Sequence, residues 1–205
     1  MVRDGIPFVL VPLLIFIVLL IFKFWLLAVP FLLLTAFMAY FFRDPEREIP
    51  GDPDVIVSPA DGRVTRVEKL DTVDGASMLV SIFLSPFDVH INRSPISGKV
   101  SRVAYTKGKF MMATREDASL LNEQNILEIK NEQITLICKQ IAGILARRIV
   151  CWKREGDTVK RGERFGLIKF SSRTDLIIPE EVQIEVREGD KVKGGTTIIG
   201  RIKNV

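Results

Sequence analysis

REGDTVKRGERFGLIK (154–169) and REGDKVKGGTTIIGRIK (187–203) are near copies of each other, 33 residues apart, with one residue added in the second. Each opens on a Gly-Asp turn, continues as an alternating strand and closes on a glycine turn. Gly156 and Gly189 suit the tight turns, and Asp157 and Asp190 can cap them through their carboxylates. A second repeat lies upstream, where SPADGRVTRV (58–67) matches SPISGKVSRV (94–103) at a separation of 36 residues. Around these copies, short runs rich in Val and Ile are bounded by Gly, Pro and Asp. They are VIVSP, GRVTRVEKL, SMLVSIFLSP, GKVSRVAYT, ILEIK, ITLICKQIA, RRIVCWK, FGLIKF, VQIEV and TIIGRIK. Their length and alternation predict strands and an all-β body. One helix is expected near Glu116–Glu123, and Asn131-Glu132 reads as a hairpin turn.

The turn–strand–turn spacing of the 154–169 and 187–203 copies resembles the hammerhead strands of biotinyl/lipoyl-type domains. The expected body is therefore mainly β and barrel-sandwich-hybrid-like. A lipoyl carrier presents its lysine at a hairpin tip, whereas Lys169 stands within an apolar strand. That argues against a carrier.

Composition divides the chain in two. Of 205 residues, 47% are hydrophobic and 26% charged, with a mean hydropathy of +0.23. Residues 5–42 hold 32 apolar side chains in 38 positions, with Lys23 the only charge. The remainder after residue 42 is roughly 38% hydrophobic and 31% charged, as in a soluble domain. This split excludes a polytopic transporter, a disordered chain and a plain cytosolic enzyme. Residues 6–22 and 24–42 are apolar runs just long enough to cross a bilayer core as helices. Lys23, with Phe24 and Trp25 beside it, suits an interfacial turn between them. Residues 1–42 are thus expected as a membrane-anchoring apolar helical hairpin, and 43–205 as the β-rich domain. Pro12 and Pro30 also admit a single tilted or re-entrant span. Arg3 precedes the first run, and Arg43 and Arg47 follow the second. The positive-inside rule then sets the body on the cytoplasmic side of the cell membrane. A net charge of +4 suits an anionic lipid surface better than nucleic acid.

Four segments are richer in polar, turn-forming residues than a β fold requires: FFRDPER (41–47), SPADG (58–62), SPFDVHINRSP (85–95) and KFSSRTD (169–175). His90 is the sole histidine and so the one candidate for a proton shuttle near neutral pH. Asp61, His90 and Ser172 together supply an acid, a base and a hydroxyl, the parts of an activated nucleophile. The G-x-S-x-G elbow of an ester hydrolase is absent, which points the serine at something other than an external ester. Cys138 and Cys151 lie in apolar surroundings and read as buried thiols, without metal-ligand spacing.

These segments resemble the phosphatidylserine decarboxylase proenzymes, in the short, compact form found in many bacteria and archaea. The likeness extends through NEQN (122–125), QIAGILARRIVCW (140–152) and EGDTVKRGERFGLIKFSSRTD (155–175), and so runs nearly end to end. The resemblance implies self-processing between Ser171 and Ser172, giving a β chain, 1–171, and an α chain, 172–205. It implies that Ser172 becomes a covalent pyruvoyl cofactor, with no metal, that His90 activates the Ser172 hydroxyl, and that Asp61 orients or charges His90. It also implies a phospholipid substrate in the bilayer, phosphatidylserine or archaetidylserine, whose serine headgroup loses CO2 to become ethanolamine. Arg93, Arg147, Arg148 and Arg173 are candidates for the headgroup phosphate or carboxylate, which guanidinium groups bind bidentately. The expected associations are between the chain's own α and β products and within a homodimer. The family's usual cleavage pair is Gly-Ser, and Ser171 stands in the place of that glycine. The competing reading is a non-catalytic, membrane-anchored adaptor with lipoyl-like halves. It predicts long helical insertions, for which the chain has no room.

Overall fold

The apolar run and the β-rich run fold as separate units, residues 1–46 and 47–205, in the computed structural model of the chain. It describes residues 1–72, 75–115, 117–144, 148–170 and 172–202.

In the first unit a single 3-10 turn leads into α1 (Ile6–Ile21), which a tight turn joins to α2 (Trp25–Phe41). Lys23 adopts a left-handed conformation, φ 60°, and the Phe24 N–H donates to the Leu19 carbonyl at 2.8 Å. The expected hairpin is present. Its open end is closed by a bond from the Val2 N–H to the Phe42 carbonyl (3.2 Å) and by stacking of Phe8 on Phe42. Gly5 is required there, since a Cβ would meet the Phe42 ring at 2.4 Å. Residues Arg3–Ile21 are long and apolar enough to cross a membrane, whereas Trp25–Phe41 is shorter.

The second unit contains β1 (Val55–Val57), β2 (Gly62–Thr72), β3 (Gly75–Leu84), β4 (Ile91–Arg93) and β5 (Gly98–Thr106). A short helix, α3 (Ala118–Leu121), falls inside the helical stretch expected from sequence. There follow β6 (Gln124–Lys130), β7 (Thr135–Ala142), β8 (Arg148–Cys151), β9 (Thr158–Val159) and β10 (Arg164–Lys169). The chain ends in β11 (Ser172–Pro179), β12 (Gln183–Ile184), β13 (Lys191–Val192) and β14 (Ile198–Arg201). The body is mainly β, as the sequence predicts. Eight strands form one curled antiparallel sheet in the order β13-β2-β3-β11-β7-β6-β5-β9. Two small sheets, β1-β14-β12 and β4-β10-β8, complete it. The main core between them is an apolar cluster that includes Ile56, Ile82, Leu84, Leu127, Ile129 and Phe165.

That strand order is palindromic, and the repeats explain it. Strands β1, β2, β3, β11, β12, β13 and β14 correspond in turn to β4 through β10. Each pairing in one half has its counterpart in the other, and β11 pairs with β7 across the pseudo-twofold axis. The match extends to single bonds. Val64 N–H donates to the Asp190 carbonyl (2.9 Å), and Val100 N–H to the Asp157 carbonyl (2.8 Å). The Asp157 and Asp190 carboxylates accept the N–H groups of Arg154 and Arg187, the turn caps expected from sequence. Both β2 and β5 carry a bulge at the same position, before Arg66 and before Arg102. One half is continuous (β4–β10), and it is inserted between β3 and β11 of the other.

One expectation is corrected. Residues 172–179, whose start reads as a polar turn, form β11, in the middle of the large sheet. The polarity misleads because Arg173 and Asp175 neutralise each other within the strand. The hairpin expected at Asn131-Glu132 is present and joins β6 to β7 through a four-residue loop, in which the Asn131 Oδ1 accepts the N–H groups of Gln133 (3.0 Å) and Ile134 (2.8 Å).

Gly62 and Gly98, equivalent residues that open β2 and β5, pass so close to the next strand that a Cβ would lie 2.1 Å from the Phe83 carbonyl and 2.6 Å from the Lys130 carbonyl. Gly62→Ala and Gly98→Ala are each expected to destabilise the body by about 1–3 kcal/mol, the usual cost of overpacking. Gly156→Ala meets no atom within 4 Å, and only its positive φ (92°) opposes it. Thermal unfolding midpoints of the three variants in detergent compare these effects.

Candidate active site

The chain changes sheets between β10 and β11. It leaves the β4-β10-β8 sheet at Lys169 and enters the large sheet at Ser172. Phe170, at this corner, has φ 64°, a left-handed conformation that costs a side-chain-bearing residue about 1–2 kcal/mol. Strain of this kind persists only where the surroundings enforce it, and it clusters at functional sites. Ser171 lies outside the described residues.

Ser172 is fully buried and pairs with Leu84 of β3 on one flank and Ala142 of β7 on the other. Its Oγ has no hydrogen-bond partner among the described residues. A buried orphan hydroxyl costs about 1–3 kcal/mol, so its retention calls for a role.

His90 precedes β4 and is buried. Its carbonyl accepts the Ile168 N–H (3.2 Å), which sets it against the end of β10, near the corner. The turn before it is rigid, because the Asp88 carboxylate accepts the Ser85 N–H (2.8 Å) and hydroxyl (2.7 Å). His90 Nδ1 lies 3.0 Å from the Asp88 carbonyl. A carbonyl can only accept, so Nδ1 carries the proton and Nε2 is the basic nitrogen of the neutral ring.

A buried amide chain links four strands beside these residues. Asn125 donates to Gln140 (3.0 Å), Gln140 donates to Asn92 (2.9 Å), and Asn92 donates to the Thr174 hydroxyl (2.9 Å). By strand alternation Thr174 shares a face of β11 with Ser172. Gly166 makes room, since a Cβ there would sit 2.8 Å from the Gln140 amide nitrogen. Asn92, Asn125, Gln140 and Thr174 carry no recognisable motif of their own in the sequence. Their signal was polar residues at inward positions of otherwise apolar strands.

On the other face of β11, Arg173 and Asp175 form a buried ion pair in which Nη2 donates to the carboxylate at 3.0 Å, each side chain 2% exposed. Arg173 also donates to the carbonyls of Ala113 (3.2 Å) and Arg115 (3.1 Å). Its fork therefore ties the 107–115 segment to the strand of Ser172. Arg93 is buried and donates to the Gly162 carbonyl (3.0 Å). Arg148 is exposed and stands opposite Lys169 in the β8–β10 ladder, one step from the corner. Arg147 lies outside the described residues. The Asp61 carboxylate is held by Arg47 at 2.7 and 2.9 Å and by the Gly194 N–H at 2.8 Å. It thus fastens the start of the body to the β13–β14 turn.

Among the described residues no group of three or more His, Cys, Asp or Glu side chains is gathered to hold a metal ion. Cys138 and Cys151 are free thiols, and burial pushes both up from the ordinary thiol range. A cavity of about 540 Å³, lined by residues including Lys130, Gln133, Pro179 and Glu181, lies at the far end of β7 and β11 from Ser172.

The family model described as phosphatidylserine decarboxylase matches residues 34–200. The chain is 51% identical over 176 residues to the phosphatidylserine decarboxylase proenzyme of Solibacter usitatus, covering 86% of this chain and 84% of that one. It is 43% identical over 204 residues to the proenzyme of the same name from Desulfotalea psychrophila, covering 98% and 95%. The counterpart in Symbiobacterium thermophilum is 46% identical over 206 residues, covering 98% and 94%. The class is thereby defined as an enzyme, a decarboxylase. The chain belongs to the phosphatidylserine decarboxylase family.

Removing one partner of a buried ion pair strands the other charge and costs about 3–5 kcal/mol. Arg173→Met and Asp175→Leu are each expected to lower the unfolding midpoint sharply. The double variant is expected to fall less than the sum, and a double-mutant cycle of urea unfolding checks this coupling.

Proposed function

We propose that the chain is a self-processing, pyruvoyl-dependent decarboxylase that converts the serine headgroup of phosphatidylserine or archaetidylserine to ethanolamine. The observation that carries this reading is the buried, partnerless Ser172 hydroxyl, set two residues after the left-handed Phe170. The residues present fit a group generated in place, because the hydroxyl is buried without a partner at the head of β11, two residues after a strained corner.

His90 Nε2 takes the Ser172 hydroxyl proton, as an unperturbed alcohol is barely ionised at neutral pH. The oxygen adds to the carbonyl carbon of Ser171, the bond to the Ser172 nitrogen breaks, and that nitrogen receives the proton. The result is an ester between residues 171 and 172. Loss of the Ser172 α-proton then expels the carboxylate of residue 171, and hydrolysis of the resulting dehydroalanine releases ammonia. What the pyruvoyl group supplies, once formed at residue 172, is an electron-accepting carbonyl for the pair left when CO2 departs.

Asp61 favours the imidazolium that His90 becomes, and Arg47 offsets much of that charge. Arg148 is offered to the headgroup phosphate or carboxylate with Arg147 beside it in sequence, while Arg93 and Arg173 hold backbone carbonyls that shape the site. The 34-residue product 172–205 cannot build a core of its own. Its strands are laddered to β3, β7, β2 and β1, and these bonds keep it seated after a cut. In this reading the apolar helices anchor the body on the cytoplasmic side of the membrane, where a two-tailed substrate resides.

Mass spectrometry of the purified protein under denaturing conditions is expected to show fragments 1–171 and 172–205, the latter with a carbonyl-blocked N-terminus. A stable full-length chain of 23.1 kDa would overturn the reading. Ser172→Ala is expected to abolish the cut. His90→Ala should slow it by roughly 10²–10⁴-fold, the usual worth of a general base. Asp61→Asn should slow it less than His90→Ala, because Arg47 already screens that charge.

A further inference from the structure

Four large apolar side chains stand exposed on one loop beside the ladder of Ser172: Phe110 (41%), Met112 (56%), Leu120 (79%) and Leu121 (42%). Single exposed apolar residues are ordinary, but a cluster on one projecting element marks an interaction surface. The loop has two arms, 107–115 and 117–122, and its neck is closed by backbone bonds. Lys109 N–H donates to the Leu121 carbonyl (2.7 Å), and Glu123 N–H to the Lys109 carbonyl (3.0 Å). The Asn122 side chain bonds both the N–H (3.0 Å) and the carbonyl (2.9 Å) of Met111 across the arms.

The inner side of the loop is fastened to the reacting strand. Arg173, next to Ser172, holds the carbonyls of Ala113 and Arg115, and Asn122 donates to the Ala142 carbonyl at 2.8 Å. Ala142 is the ladder partner of Ser172. The apolar side chains thus belong to an element anchored one residue from the nucleophile on two sides. Lys107 and Lys109, at the neck, are exposed. Exposed apolar side chains beside Lys107, Lys109 and the exposed Arg115–Asp117 pair are complementary to the boundary of an anionic bilayer. The apolar groups enter the acyl boundary, and the ammonium groups stay at headgroup level.

We propose that this loop is a bilayer-docking element. It inserts Phe110, Met112, Leu120 and Leu121 at the boundary of headgroups and acyl chains, so that a lipid headgroup reaches residue 172 without leaving the membrane. The role in turnover rests on the proposed function, whereas insertion can be measured independently of it.

The test uses the full chain in vesicles of phosphatidylcholine and phosphatidylserine. Phe110→Trp and Leu120→Trp are compared with the parent, so that the added emission is read above that of Trp25 and Trp152. Bromine on the shallow acyl carbons is expected to quench the added emission about threefold, the response of a side chain at the acyl boundary. Added emission that is insensitive to bromolipid and quenched by aqueous iodide overturns the proposal. As a second arm, Phe110→Ser combined with Leu120→Ser is expected to lower the ratio of turnover on vesicle phosphatidylserine to turnover on its soluble dihexanoyl form by about tenfold, since two buried apolar contacts are lost. An unchanged ratio overturns the proposal, and so does loss of an oligomer at constant ratio, which assigns the patch to a protein contact. If the parent chain neither cuts nor decarboxylates, the proposed function fails while the quenching arm still decides docking.

Discussion

β11 is hydrogen-bonded along both flanks, to β3 and to β7, and the rest of the body is arranged around that double ladder. The pairing with β7 joins the two halves of the molecule into one sheet across the pseudo-twofold axis. The pairing with β3 completes the half that the chain leaves at Leu84 and rejoins at Ser172. A strand held on both sides can begin abruptly, with its first side chain already buried and its preceding corner under strain. At an edge or in a loop the same serine would be hydrated, and the left-handed Phe170 would relax.

The polar content of this region is expensive by the usual standards of a sheet interior. An orphan hydroxyl and a left-handed Phe each cost on the order of 1–3 kcal/mol. Surrounding hydrogen bonds offset part of this cost. The Asn125–Gln140–Asn92–Thr174 chain joins β6, β7, β4 and β11, and Arg173 pairs with Asp175 while donating to two loop carbonyls. Such networks are costly when half-made and rigid when complete. Here they bracket Ser172 on both faces of its strand, which holds its position against the backbone strain beside it.

Much of this architecture was legible in the sequence because it is carried by local, repeated features. The Gly-Asp turns, the SP-x-x-G starts and the Val/Ile alternation each act within a few residues, and each occurs twice. Their structural equivalence follows from like segments taking up like geometry. The apolar hairpin was legible for the same reason, since length and hydropathy suffice to mark it. Residues 172–179 were not legible. Arg173 and Asp175 look like solvent-facing charges until they are seen to neutralise each other inside the sheet. The amide chain was hidden for a related cause. Its bonded members are 15, 48 and 82 residues apart in sequence, and only folding brings them together.

The sequence by itself determined a β-rich body built from two copied halves, a separate apolar hairpin, and a short set of reactive side chains that includes Ser172, His90 and Asp61. Tertiary structure decided how those side chains are employed. It buried Ser172 at the head of a central strand, fixed the His90 tautomer through the Asp88 carbonyl, and set Asp61 between Arg47 and Gly194. The physical reason is that turns and periodicity are local properties of the chain, whereas burial, tautomer and hydrogen-bond partner depend on groups supplied by distant strands.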